Sequence, residues 1–104
     1  MRMLLKFTIP METGNRLTRT GKLGATIHAI MDELKPEAAY FIEEHGERTG
    51  IVVVNFDDMS QMPAMVEPLF LGLNAKVEVH PALTAADLAK AGVAIQQAAQ
   101  KYPG

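Results

Sequence analysis

Four consecutive β-branched residues, Ile51-Val52-Val53-Val54, narrow what this chain can fold into more than any other stretch. Side chains of a strand alternate between two faces, so a run that is apolar at every position needs apolar cover above and below. Such a strand belongs at the centre of a sheet. The rest of the chain must then supply strands to flank it, helices to cover one face, and something to cover the other.

The flanking strands are legible. From Met3 to Ile9 the sequence alternates, with Met3, Leu5, Phe7 and Ile9 on one side and Leu4, Lys6 and Thr8 on the other; Pro10 ends the run. Ala38 to Glu43 reads as a second strand. Between it and Ile51–Phe56, the segment from Glu44 to Gly50 has the polar, glycine-containing composition of a hairpin loop. Ala75 to Val79 alternates again, setting Val77 and Val79 against Lys76, Glu78 and His80, and Pro81 closes it.

The period changes to that of a helix between these strands. From about Asn15 to Leu34, the residues Leu23, Ile27, Ile30, Met31 and Leu34 form one stripe. Gly24 falls near it, a position suited to close packing on the sheet. Ser60 is placed to cap the next helix, with Pro63 in its first turn. Met62, Val66, Leu69 and Leu73 form its inner face, and a kink is expected before Pro68. Thr84-Ala85-Ala86-Asp87 resembles a capping box that opens a last helix running to about Tyr102, with Leu88, Ala91, Ile95, Ala99 and Tyr102 inward. Ile27 and Ile95, each at the centre of a stripe, are expected to be fully buried.

The order strand, helix, strand, strand, helix, strand, helix predicts one α+β domain over residues 1–104. Its expected form is a ferredoxin-like βαββαβ unit, a four-stranded antiparallel sheet with an extra C-terminal helix. The face of Met3, Leu5, Phe7, Ile9, Val77 and Val79 should meet the helices. The other face keeps Leu4 and half of the Ile51–Val54 run, too much apolar surface to leave in water. A second copy of the chain can cover it through twofold symmetry, so a homodimer is expected. A charge at Val52 or Val54, whichever points away from the helices, should break it.

Two segments carry a resemblance. Gly50-Ile51-Val52-Val53-Val54-Asn55-Phe56-Asp57-Asp58, followed by Ala75-Lys76-Val77-Glu78-Val79-His80-Pro81-Ala82-Leu83, is similar to a small bacterial family of unassigned function within the dimeric α/β-barrel superfamily. In that superfamily two such sheets face one another. The resemblance implies that fold and a dimer. It leaves the chemistry open among cofactor-free monooxygenases, lactone isomerases, haem-binding enzymes and stress-response proteins.

Composition removes other classes. There is no cysteine, and hence no disulfide, thiolate metal site, iron–sulfur cluster or thiol nucleophile. A disulfide-free chain with an N-terminal apolar run cut short at Lys6 suits a cytoplasmic protein. The net charge of -2 supplies no basic field for nucleic acid, and no run approaches the roughly 20 apolar residues that span a bilayer. The segment from Gly14 to Gly24 has the glycines of a phosphate loop but not their spacing. Glu43, Glu44, His45 and Glu47 read as a solvated turn, and no metal or cofactor is expected.

His80 is the residue best suited to acid–base chemistry. It shares a strand face with Glu78 and Lys76, and an imidazole beside a carboxylate can move a proton near neutral pH. Lys6 and Glu78, on strands expected to be neighbours, read either as a cross-strand ion pair or as groups that orient an anionic ligand. Thr8, Tyr40 and Asn55 add hydrogen-bonding groups. Three functions follow from these residues. One is a small-molecule-binding protein with its pocket on the sheet face of Lys6, Thr8, Glu78 and His80. The second is a cofactor-free isomerase or monooxygenase using His80. The third is an interaction module without a ligand.

Overall fold

The computed structural model describes residues 1–104. β1 (Arg2–Ile9) leads into α1 (Met11–Arg19) and α2 (Leu23–Leu34). β2 (Ala38–Glu44) and β3 (Glu47–Asn55) form a hairpin. A 3-10 turn at Met59–Gln61 opens α3 (Met62–Leu73), β4 is Lys76–Pro81, and α4 (Ala85–Lys90) and α5 (Gly92–Lys101) end the chain. The strands form one antiparallel sheet in the order β2-β3-β1-β4. This is the ferredoxin-like arrangement expected from the sequence, with α1, α2 and α3 over one face.

The register places Leu5 beside Val52 and Val79, and Phe7 beside Gly50 and Val77. Leu5, Phe7, Val52 and Val54 are wholly buried, with Leu69 and Leu73 of α3 packed over them and Ile30 and Leu34 of α2 alongside. Val52 and Val54 both face the helices; in the β3 run it is Ile51 and Val53 that face away. That outward face reads, from β2 to β4, Ala38-Val53-Leu4-His80, then Tyr40-Ile51-Lys6-Glu78, then Ile42-Thr49-Thr8-Lys76. No helix covers it.

Local geometry departs from the sequence reading where a single side chain or backbone group decides. The hairpin loop is not a long one. His45 and Gly46, with φ of 53° and 78°, make a two-residue turn whose handedness matches the twist of its strands. Gly50 lies within β3, because the Phe7 ring occupies the space a Cβ there would need. The helix expected from Asn15 to Leu34 is two helices. Gly21, at φ 71°, ends α1: its N–H bonds the Thr18 carbonyl and the Lys22 N–H bonds the Leu17 carbonyl, a pairing that needs the left-handed conformation. Gly24 touches nothing a side chain would disturb, so close packing does not explain it. Asp58, not Ser60, caps the turn before α3; its carboxylate accepts the Ser60 N–H while Gln61 reaches back to the Asp58 N–H. α3 runs through Pro68 unbroken. The carbonyl left without a partner is that of Ala64, an exposed residue where water can bond it.

The largest departure is at the C-terminus. The Thr84–Asp87 capping box forms as expected, but the helix breaks at Ala91, and neither α4 nor α5 has a buried residue. Leu88 and Ile95 are each 53% exposed and Tyr102 is 73% exposed, so the expected inner stripe faces water and Ile95 is not buried. Ile27 is half-buried rather than enclosed. The molecule extends over 58 Å with a radius of gyration of 17.4 Å, where a compact chain of this length has about 13 Å. α4 and α5 form an arm.

The Phe7–Gly50 contact fixes the centre of the sheet. Gly50→Ala should cost about 1–3 kcal/mol in chemical denaturation, as overpacking does. Phe7→Leu in that background should recover part of the loss relative to its effect alone. Equal effects in both backgrounds would mean that the ring does not set the constraint.

Candidate functional site

An apolar cavity lies on the helix-covered side of the sheet, in the corner that α2 leaves open toward the edge strand β2. Its volume is about 340 Å³. Phe7 and Ile9 form its floor, Leu23 and Ile27 of α2 one wall, and Phe41 of β2 the other, with the Phe41 ring edge-on to Phe7 at 6.4 Å. The corner exists because the helices stop short of β2. Ala39, Phe41 and Glu43 share the face of Val52 and Gly50, yet all three are exposed. Gly50 contributes too, since a side chain there would displace Phe7.

Two charged groups sit at this cavity. Glu43 and Arg48 face each other across the β2–β3 hairpin, and both line it. Arg48 is half-buried. Its Nη2 donates to Asn15 Oδ1 at 3.1 Å, and its guanidinium lies against Gly14, where a Cβ would come within 2.5 Å of Nη1. Nothing in the alternating patterns marked this corner. Arg48 and Gly50 had the composition of a loop, and Ile27 and Leu23 belonged to a core stripe. The signal available was Gly50 itself, a glycine directly before four β-branched residues.

The residues singled out from the sequence lie elsewhere. Lys6, Thr8, Glu78 and His80 do share the sheet face turned away from the helices, and Lys6 pairs with Glu78 in register. The Lys6 ammonium stands 3.8 Å from the Glu78 carboxylate and closer to Glu44, a partner the sequence reading missed. Glu44 holds the Lys6 ammonium charged to higher pH than usual, through a hydrogen bond before the bare charge, and Lys6 depresses the Glu44 carboxyl by the same bond. His80 Nε2 is 3.9 Å from Glu78, and both side chains are 58% exposed. Tyr40 is on the same face and exposed. Asn55 is apart from this group, near the β1 N-terminus, where its amide donates to Glu37 at 2.9 Å. His28 is exposed on α2, 3.4 Å from Asp32. No group of three or more His, Cys, Asp or Glu side chains is arranged to hold a metal ion, and no helix is long and apolar enough to cross a membrane.

The ordered polar cluster at the other end of the sheet is structural. Arg2 Nε donates to Glu37 at 2.6 Å and its Nη1 lies 4.0 Å from Asp87, tying β1 to the residue before β2 and to the start of the arm. Arg2, then Asn55, hold the Glu37 carboxyl below its ordinary 4.5.

No family model matches this chain, and no curated protein matches it. Among solved structures, 11 chains match. One is a Deinococcus radiodurans protein provisionally named an antibiotic biosynthesis monooxygenase. It shares 15% identity at a TM-score of 0.43, over 82% of this chain and 95% of that one.

A depressed carboxyl stabilises the fold above its unfolded pKa, and that contribution is lost as pH falls through the folded value. Glu37→Gln should therefore lower the urea midpoint at pH 7, and the gap from the unsubstituted protein should close as pH falls below about 4.5. A gap that is constant with pH would remove Arg2–Glu37 from the stability of the fold.

Proposed function

We propose that this chain is a small-molecule-binding domain that works as a homodimer, with its ligand in the corner between α2 and β2. The observation that carries the binding reading is the cavity. A volume of about 340 Å³ bounded by Phe7, Ile9, Leu23, Ile27 and Phe41 lies at the low end of the range for small-ligand sites. An apolar floor with two polar groups at one side is the composition of such sites: area for affinity, a few groups for orientation.

Two surfaces support the dimer. Leu4, Ile51 and Val53 are half-buried on a sheet face with no helix over it, and the adjoining edge strand exposes Tyr40, Phe41 and Ile42. The arm is the second. A ten-residue helix that packs on nothing is marginal in water, so α5 needs a surface beyond its own chain. A second copy supplies both surfaces at once, because each protomer offers an open sheet face and an arm. The Lys6, Thr8, Glu78 and His80 face would then be enclosed between protomers. In that setting His80 beside Glu78 is the group we assign to acid–base chemistry, if the protein is an isomerase or monooxygenase. His80→Ala would abolish turnover in that case and leave the dimer intact.

Two measurements test this reading. Sedimentation at micromolar concentration should give twice the 11.3 kDa chain mass, reduced to the monomer by Val53→Asp or by deleting residues 85–104. A monomer for the unsubstituted chain would end the dimer reading. The neutral naphthalene dye prodan should bind with a blue-shifted emission, and Leu23→Trp, which fills the cavity, should abolish binding while the protein melts as before. Undiminished binding by Leu23→Trp would place the ligand elsewhere.

A further inference from the structure

We infer that the ligand of the α2–β2 cavity carries an anionic group, a carboxylate or its equivalent, and that Arg48 is the residue that takes it. The inference rests on the cavity being a binding site and adds the class of molecule it selects.

The case begins with the state of the guanidinium. Arg48 is half-buried and forms no ion pair, whereas Arg2 and Lys6 each reach a carboxylate. A charge held partly out of water without a counterion forgoes hydration, and the single hydrogen bond to Asn15 replaces only part of it. One of its nitrogens, Nη2, is committed to Asn15; Nε and Nη1 have no protein partner, yet neither is sealed off from outside. Asn15 takes one of the two N–H bonds of Nη2; the other, with the neighbouring nitrogen on the free edge of the guanidinium, makes the planar fork that grips a carboxylate through two parallel bonds.

Position is the second observation. Asn15 and the bare backbone of Gly14 fix the side chain from α1, so the fork is held in place before any ligand arrives. The cavity it borders is otherwise walled by Phe7, Ile9, Leu23, Ile27 and Phe41, where a charge-assisted bond is less screened than in water. Glu43 is the obvious competitor. It sits directly across the hairpin, but it is exposed and makes no ion pair with Arg48. It therefore acts as a repulsive neighbour that weakens anion binding without occupying the fork. A molecule with a ring or short chain for the apolar walls and an acid at one end fits both halves of the site.

Paired probes of one shape isolate the charge. 2-Naphthoate and 2-naphthamide should be titrated into the full chain at low salt. The carboxylate should bind about tenfold or more tightly than the amide, a ratio expected for a charge-assisted bidentate contact. Arg48→Gln should bring the two probes to within about twofold, Arg48→Lys should keep part of the preference, and Glu43→Gln, at an exposed position that the fold tolerates, should tighten naphthoate alone. If both probes bind the unsubstituted protein equally, the anion inference fails and the cavity reading stands. If neither binds, both fail. A preference that survives Arg48→Gln overturns the assignment to Arg48. Should Arg48→Gln not fold, as judged by thermal melting, Asn15→Ala frees the fork while keeping its charge and should reduce the preference; an unchanged preference counts against the inference.

Discussion

Everything in this fold depends on the pairing of β1 with β3, and in particular on the Phe7 ring lying over Gly50. A Cβ at Gly50 would fall on the tip of the Phe7 ring, so this ring, in the position it takes, excludes any side chain there. With the end of the ring in the space of a Gly50 Cβ, Leu5, Val52 and Val54 are buried beside it, and α2 and α3 seat Ile30, Leu34, Leu69 and Leu73 over them. The same arrangement leaves a hollow on the β2 side, because a ring lying over a glycine does not fill the volume that two side chains would. The core rests on this contact, and the cavity on this contact together with helices that stop short of β2.

A second consequence is asymmetry between the two sheet faces. A strand apolar at every position cannot satisfy both faces with one helical layer. The helices take Val52 and Val54; Ile51 and Val53 remain half-buried on the far side. The arm has the same deficit in another form, since α5 is helical with no packing of its own. Small domains bury a limited share of their surface, about two-thirds at this length, and a partner is the usual remedy.

Much of this was legible in the sequence, and the failures share a cause. Period-2 alternation located Met3–Ile9 and Val77–Val79, and it assigned Lys6, Thr8, Glu78 and His80 to one face, because alternation is a property of the strand alone. The helix stripes misled wherever a stripe was equated with burial inside one chain. Leu88, Ile95 and Tyr102 are all exposed on the arm, and periodicity cannot say which molecule covers them. Val52 and Val54 could not be oriented because the run is apolar at every step. Gly50 was read as loop by composition when its role is steric and set by Phe7, 43 positions away. The Glu44 partner of Lys6 and the Asn15 partner of Arg48 are likewise products of the fold, with no local pattern to announce them.

Hydrogen exchange of the α5 amides, followed as a function of protein concentration, tests the central claim that a second copy covers what one chain leaves open. At concentrations where the dimer forms, the amides of residues 95–101 should be protected together with those of β2, and both sets should lose protection in parallel on dilution. The amides of Leu5 and Val52 should stay protected throughout. Exchange of α5 at the unprotected rate at every concentration would contradict the claim and leave the arm a solvent-exposed, fraying helix.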